Sequence, residues 1–105
     1  MKIRFANTAK ISLHSAANFI HQGDPIAAAI FLGRVEKTLH RLEKYPDSGR
    51  RIPEYPELPY GELLVLPYRF FYKIDGKITF IVAVWHSAQI PVGPNKQIEG
   101  RPATG

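Results

Sequence analysis

The sequence predicts an α+β domain: a helical hairpin packed on one face of a small, mostly antiparallel sheet, in the order β-α-α-β-β. Three observations carry that expectation. Gly61 to His86, GELLVLPYRFFYKIDGKITFIVAVWH, is dense in β-branched and aromatic residues that fit a pleated, half-buried surface. The run is divided by Asp75-Gly76, a strong hairpin signal because glycine accepts positive φ. Upstream, apolar residues recur at helical spacing in two segments separated by Gly23-Asp24-Pro25. A lone hairpin is not stable, and two amphipathic helices need an apolar surface, so each layer supplies what the other lacks.

In chain order, Lys2 to Ala6 alternates and predicts a first strand. Asn7 or Thr8 is the expected helix cap, and Ala9, Leu13, Ala16, Ala17 and Ile20 place one helix over about Thr8 to Gln22. Gly23 ends it. Asp24 then caps a second helix with Pro25 at its first position, where the missing N–H costs nothing. Ala28, Phe31, Leu32, Val35, Leu39 and Leu42 form its apolar stripe to about Lys44. Tyr45-Pro46-Asp47-Ser48-Gly49 is turn chemistry. Pro53, Pro56 and Pro59 keep the following loop out of a helix, with a short extra strand expected near Arg51 or Ile90. Residues 1–90 make the domain, and 91–105 read as a mobile tail rich in Pro and Gly.

The register of the main hairpin follows from its apolar faces. Even positions Leu64, Leu66, Tyr68, Phe70, Tyr72 and Ile74 belong with Ile78, Phe80, Val82, Val84 and His86. A three-residue bulged loop, Asp75 to Lys77, would put them all on one face. That register sends Arg69 and His86 to opposite faces.

At 105 residues the chain fits one domain. It has no cysteine, which excludes disulfides, thiolate metal sites and thiol nucleophiles and suits a reducing cytoplasm. No apolar run is long enough to span a membrane, and the first residues lack a signal-peptide core. The net charge of +5 favours an acidic partner. His14, His21 and His40 do not have metal-site spacing, and no metal or cofactor is expected. Lys37, Arg41 and Lys44 recur along the second helix as its wet side.

Four features occur together and in order: the Asp24-Pro25 helix restart, Pro46-Asp47-Ser48-Gly49-Arg50, the strand Tyr68-Arg69-Phe70-Phe71-Tyr72, and the strand end Val84-Trp85-His86. This combination resembles the RelE/ParE superfamily of toxins from type II toxin–antitoxin systems, nearer the ParE, plasmid-stabilisation branch, over about residues 3–91. The resemblance implies a cytoplasmic growth inhibitor neutralised by a cognate antitoxin. Operator DNA would be reached only through that antitoxin. The target would be DNA gyrase in the ParE branch, or mRNA on the ribosome in the nuclease branch. Whichever holds, the antitoxin segment is expected to be acidic or amphipathic and to cover a basic, apolar sheet edge.

Metal-free RNA cleavage needs a base, an acid and cations for the phosphate. The candidates are Arg69 as cation, His86 as acid or base, and Glu62 or Tyr72 as helper. The nuclease branch carries basic residues at the start of the first hairpin strand and just after the second. Here Gly61 and Ser87-Ala88-Gln89 stand at those positions, which favours the gyrase branch, with the nuclease and an inactive antitoxin-binding fold as the alternatives. Candidate partner-binding residues are Arg50, Arg51, Arg69, Trp85 and Gln89. Each has a plainer role: Arg69 bonded to an acid such as Glu54, His86 bonded to backbone at a strand end, Trp85 as a core plug, Arg50 and Arg51 as a solvated turn. The sheet side away from the helices is expected to be basic and open to another macromolecule.

Overall fold

The computed structural model describes residues 2–88. The order is β1 (Lys2–Phe5), α1 (Asn7–Gly23), α2 (Pro25–Lys44), β2 (Arg50–Arg51), β3 (Gly61–Val65), β4 (Tyr68–Asp75) and β5 (Ile78–His86). The strands form one sheet, β1-β5-β4-β3-β2, antiparallel except where β1 lies parallel to β5. The expected α+β architecture is the one observed, including the short strand at Arg51.

The Asp24 carboxylate accepts hydrogen bonds from the backbone N–H of Ile26 at 3.0 Å and of Ala27 at 3.3 Å, fixing the start of α2 beside Pro25. The first helix differs from expectation: its N-cap is Ala6, with no side-chain cap. Its backbone comes straight from β1, whose last link, Ala6 N–H to Ile81 C=O at 2.9 Å, sets the entry.

Both helices cover one face of the sheet. Ala9 and Ala16 of α1, with Phe31, Val35 and Leu42 of α2, meet Val65, Phe70, Tyr72, Ile81 and Val84. Each large apolar side chain buried there contributes roughly 1.5–3 kcal/mol. Leu32 is the exception in the stripe and stays exposed.

Two readings of the main hairpin are corrected. Residues 61–74 are two strands rather than one, because Leu66-Pro67 turns the chain and β3 folds back onto β4 with Val65 opposite Tyr68. Pro67 cannot donate to a ladder, so a continuous strand through it is excluded. The loop between β4 and β5 is two residues, Gly76-Lys77, with Asp75 opposite Ile78. Gly76 takes φ 62° at the first central position, the φ pattern of a type II′ turn. The bulge lies in mid-strand instead: Phe71 pairs Ala83 and Tyr72 pairs Ile81, leaving Val82 as the extra residue. The even positions therefore agree only beyond the bulge, where Tyr68 faces His86 and Arg69 faces Trp85. Arg69 and His86 do lie on opposite faces.

The sheet side away from the helices is not open. The loop between β2 and β3 folds over it, and Ile52, Tyr55 and Tyr60 pack on Phe71, Val82, Ala83 and Trp85 as a second core. Apolar loop anchors and the side chains released by the bulge cover each other.

Candidate functional site

The chemistry-bearing residues of the outer face form one ionic cluster on neighbouring strands. Arg69 of β4 donates from Nε to Glu62 Oε1, Nη1 donates to Glu54 Oε2 at 3.1 Å, and Nη2 to Glu54 Oε1 at 2.7 Å. Arg50 of β2 donates from Nε to the other Glu62 oxygen at 2.8 Å. The Arg69 guanidinium also lies over the Phe71 ring, 5.1 Å from its centroid. The side chain of Glu62 is 0% exposed and that of Arg69 7%. Charges buried this deeply are tolerated only when paired and hydrogen-bonded, and both are. The Arg69 hydrogen bonds hold the Glu54 carboxyl below the ordinary glutamate range, and the Glu54 pair in turn raises Arg69. The cluster clamps loop residue Glu54 onto β4, so it fastens the loop that covers the outer face.

His86 and Tyr72 belong to the helix side. His86 ends β5, exposed, its ring edge-on to Tyr68 at 5.4 Å. Its Nδ1 accepts the Ala88 N–H at 3.1 Å, which places its ring proton on Nε2 when the imidazole is neutral. Tyr72 is buried, donates to the Pro46 carbonyl at 3.2 Å, and has its hydroxyl pushed up by burial. Tyr72 stands four residues along β4 from Tyr68, roughly 13 Å at strand rise, so it does not reach His86. The four residues named as a nuclease set are thus split two and two across the sheet, and no common phosphate position exists for them.

Gly61 has a structural reason to be glycine. A Cβ there would overlap the Tyr72 ring, as would one on Gly49. The position where a basic residue was sought has no room for any side chain. Beside it lies a crevice of about 180 Å³, bordered by Arg51, Lys73, Tyr60 and Tyr72. Arg51 is exposed but anchored, donating to the Leu58 carbonyl at 2.6 Å.

The residues named for partner binding divide as well. Arg50 and Arg51 are exposed. Trp85, edge-on to Phe71 at 5.4 Å, and Arg69 are 7% and 6% exposed, so neither is surface: the loop anchors bury the first, and its two carboxylates sequester the second. Gln89 lies outside the described residues. Sequence reasoning missed the structural role of Glu62; its place between two apolar strand halves, with arginines at 50 and 69, was the available signal.

No match is found among curated proteins. Among solved structures, a chain of the chromosomal ParDE TA system from P. aeruginosa has the same fold, with TM-score 0.66 and 17% identity over 82% of this chain and 95% of that one. The family model described as the ParE toxin of the type II toxin–antitoxin system parDE matches residues 3–91. With a β-α-α core and sheet order already in place, that match over most of the sequence decides the affiliation: the chain belongs to the ParE toxin family of type II toxin–antitoxin systems.

Proposed function

We propose that this protein inhibits growth by docking on an essential enzyme, DNA gyrase, in the cytoplasm, and that a cognate antitoxin neutralises it. The single observation that supports docking over chemistry is the division of Arg69 and Glu62 from His86 and Tyr72 by the sheet itself. Gly61, closed by the Tyr72 ring, adds to it. Among the described residues no helix is long and apolar enough to cross a membrane.

The nuclease reading has one feature in its favour, the crevice bordered by Arg51 and Lys73. The hydroxyl next to it is a poor base, because burial raises Tyr72 and the proton is already donated to Pro46. Induced expression separates the alternatives. Gyrase poisoning gives filamentation, a DNA-damage response and trapped gyrase–DNA complexes with purified components. Early loss of protein synthesis with cut mRNA would overturn the proposal. Absence of any growth effect alongside intact antitoxin binding would leave only the inactive fold.

A further inference from the structure

Five cations come together along the margin of the molecule that β1 forms. Lys2 and Arg4 belong to β1, Lys10 to α1, Lys44 to the last turn of α2, and Lys77 to the turn between β4 and β5. All five are exposed. Two crevices lie among them. One, of about 620 Å³, is lined by Lys2, Lys44 and Lys77 with His40, Glu43 and Ile78. The other, of about 430 Å³, is lined by Arg4, Lys10 and His14 with Phe5 and Leu13. β1 joins the two, since Lys2 borders one and Arg4 the other.

The charge here is not balanced as it is on the outer face. Among the described residues that line the two crevices, Glu43 is the one carboxylate, and His40 Nδ1 stands 3.9 Å from it. Asp75, across the turn on β4, is exposed. No ion pair within the described residues ties any of the five cations to a carboxylate. A site for one small anion gathers arginine forks or backbone N–H groups on a point. Here the charges are mostly lysine ammoniums on flexible stems, spread over three elements and a turn. Alternate positions on a strand put Lys2 and Arg4 on the same side, roughly 7 Å apart, which is about twice the axial spacing of phosphates along one strand of a duplex. A spread of that kind suits a long, regular polyanion.

We propose that the β1 margin holds the phosphate backbone of duplex DNA without reading its sequence. Lysines on phosphates fix position and carry no base information. The choice of duplex DNA rests on the gyrase reading above: a protein docked on an enzyme that works on DNA meets that polyanion beside its own contact surface.

The probe is a fluorescent duplex of about 20 base pairs, titrated with the full chain between about 50 and 200 mM salt and followed by anisotropy. Two duplexes of unrelated sequence should bind alike, and affinity should fall steeply with salt. K2A/K77A and R4A/K10A, each checked for native circular dichroism, should bind roughly tenfold more weakly and lower the slope of log K against log salt by about 2. R34A/R41A removes the same charge from the β3 side of α2 and should bind as the wild type does. Equal weakening by all three pairs would mean attraction by net charge alone and would overturn the proposal. So would tighter binding of a single-stranded RNA than of the duplex. Trapping of gyrase–DNA complexes, assayed in parallel, separates the two levels. Trapping by a wild type that does not bind the free duplex overturns the DNA contact and leaves the gyrase reading standing. Duplex binding that K2A/K77A and R4A/K10A weaken, without any trapping, overturns the gyrase reading and leaves the DNA contact standing.

Discussion

Glu62→Leu should expose how the outer face is held. Glu62 is fully buried and gives one oxygen to Arg69 and one to Arg50. Arg50 is 61% exposed at its side chain and simply rehydrates, so its loss costs little. Arg69 cannot: its side chain is 7% exposed and would lose the Glu62 carboxylate while keeping that of Glu54. Removing one partner of a buried pair costs about 3–5 kcal/mol. The surviving two-point contact to Glu54 puts this case at the low end, about 3 kcal/mol, a large part of a small domain's stability. In urea this is a midpoint lower by roughly 1–3 M. The double variant Glu62→Leu with Arg69→Met replaces the pair by apolar groups of similar size and should recover most of the loss. Circular dichroism during urea titration reads both, and growth inhibition is scored in parallel. Arg69→Ala should lose toxicity only together with fold. The reasoning is refuted if Glu62→Leu unfolds at the wild-type midpoint. A double variant that is folded yet non-toxic would show that Arg69 has a role beyond holding the loop.

Glu54 has its pKa lowered, chiefly by the Arg69 hydrogen bonds, so its contribution is present above the ordinary glutamate range and is lost as pH falls through the lowered folded value. Glu54→Gln should flatten that part of the acid-unfolding profile measured by fluorescence. Gly61→Lys, which restores a basic residue where the nuclease branch has one, should destabilise by roughly 1–3 kcal/mol through overlap with Tyr72, and should create no mRNA cleavage in a primer-extension assay. Asp24→Ala should cost about 1 kcal/mol by thermal melting, since two backbone N–H groups lose their acceptor.

What the sequence made legible was what short-range rules govern. The Asp24-Pro25 restart was read correctly because a cap is a contact two or three residues long. The helical stripe predicted Phe31, Val35 and Leu42 in the core because periodicity alone selects a face. The bulge at Val82 was not legible in place, because it is set by two cores on opposite sides of β5. The break at Pro67 was legible and overlooked: a proline inside an apparent strand is itself evidence of a turn. The covered outer face was the largest miss. Ile52, Tyr55 and Tyr60 sat among prolines and charges, and their partners Phe71, Val82, Ala83 and Trp85 lie on later strands, beyond any local pattern.

That covering changes what the basic composition means. A net charge of +5 suggested an open cationic sheet, yet Arg50 and Arg69 are neutralised there by Glu54 and Glu62. Removing two cations and two anions leaves the net charge as it was and moves it elsewhere. On the β3 side of α2, Arg34 and Arg41 remain exposed, whereas Glu36 and Glu43 sit on other sides of that helix by their spacing. The positive charge is therefore carried by exposed side chains around the sheet, among them Arg51 and Lys73 beside the Gly61 crevice, and not by the Arg69 position on its outer face. The same four charges fasten the loop and neutralise one another, so protection of the sheet face and loss of its cationic character follow from one ionic cluster.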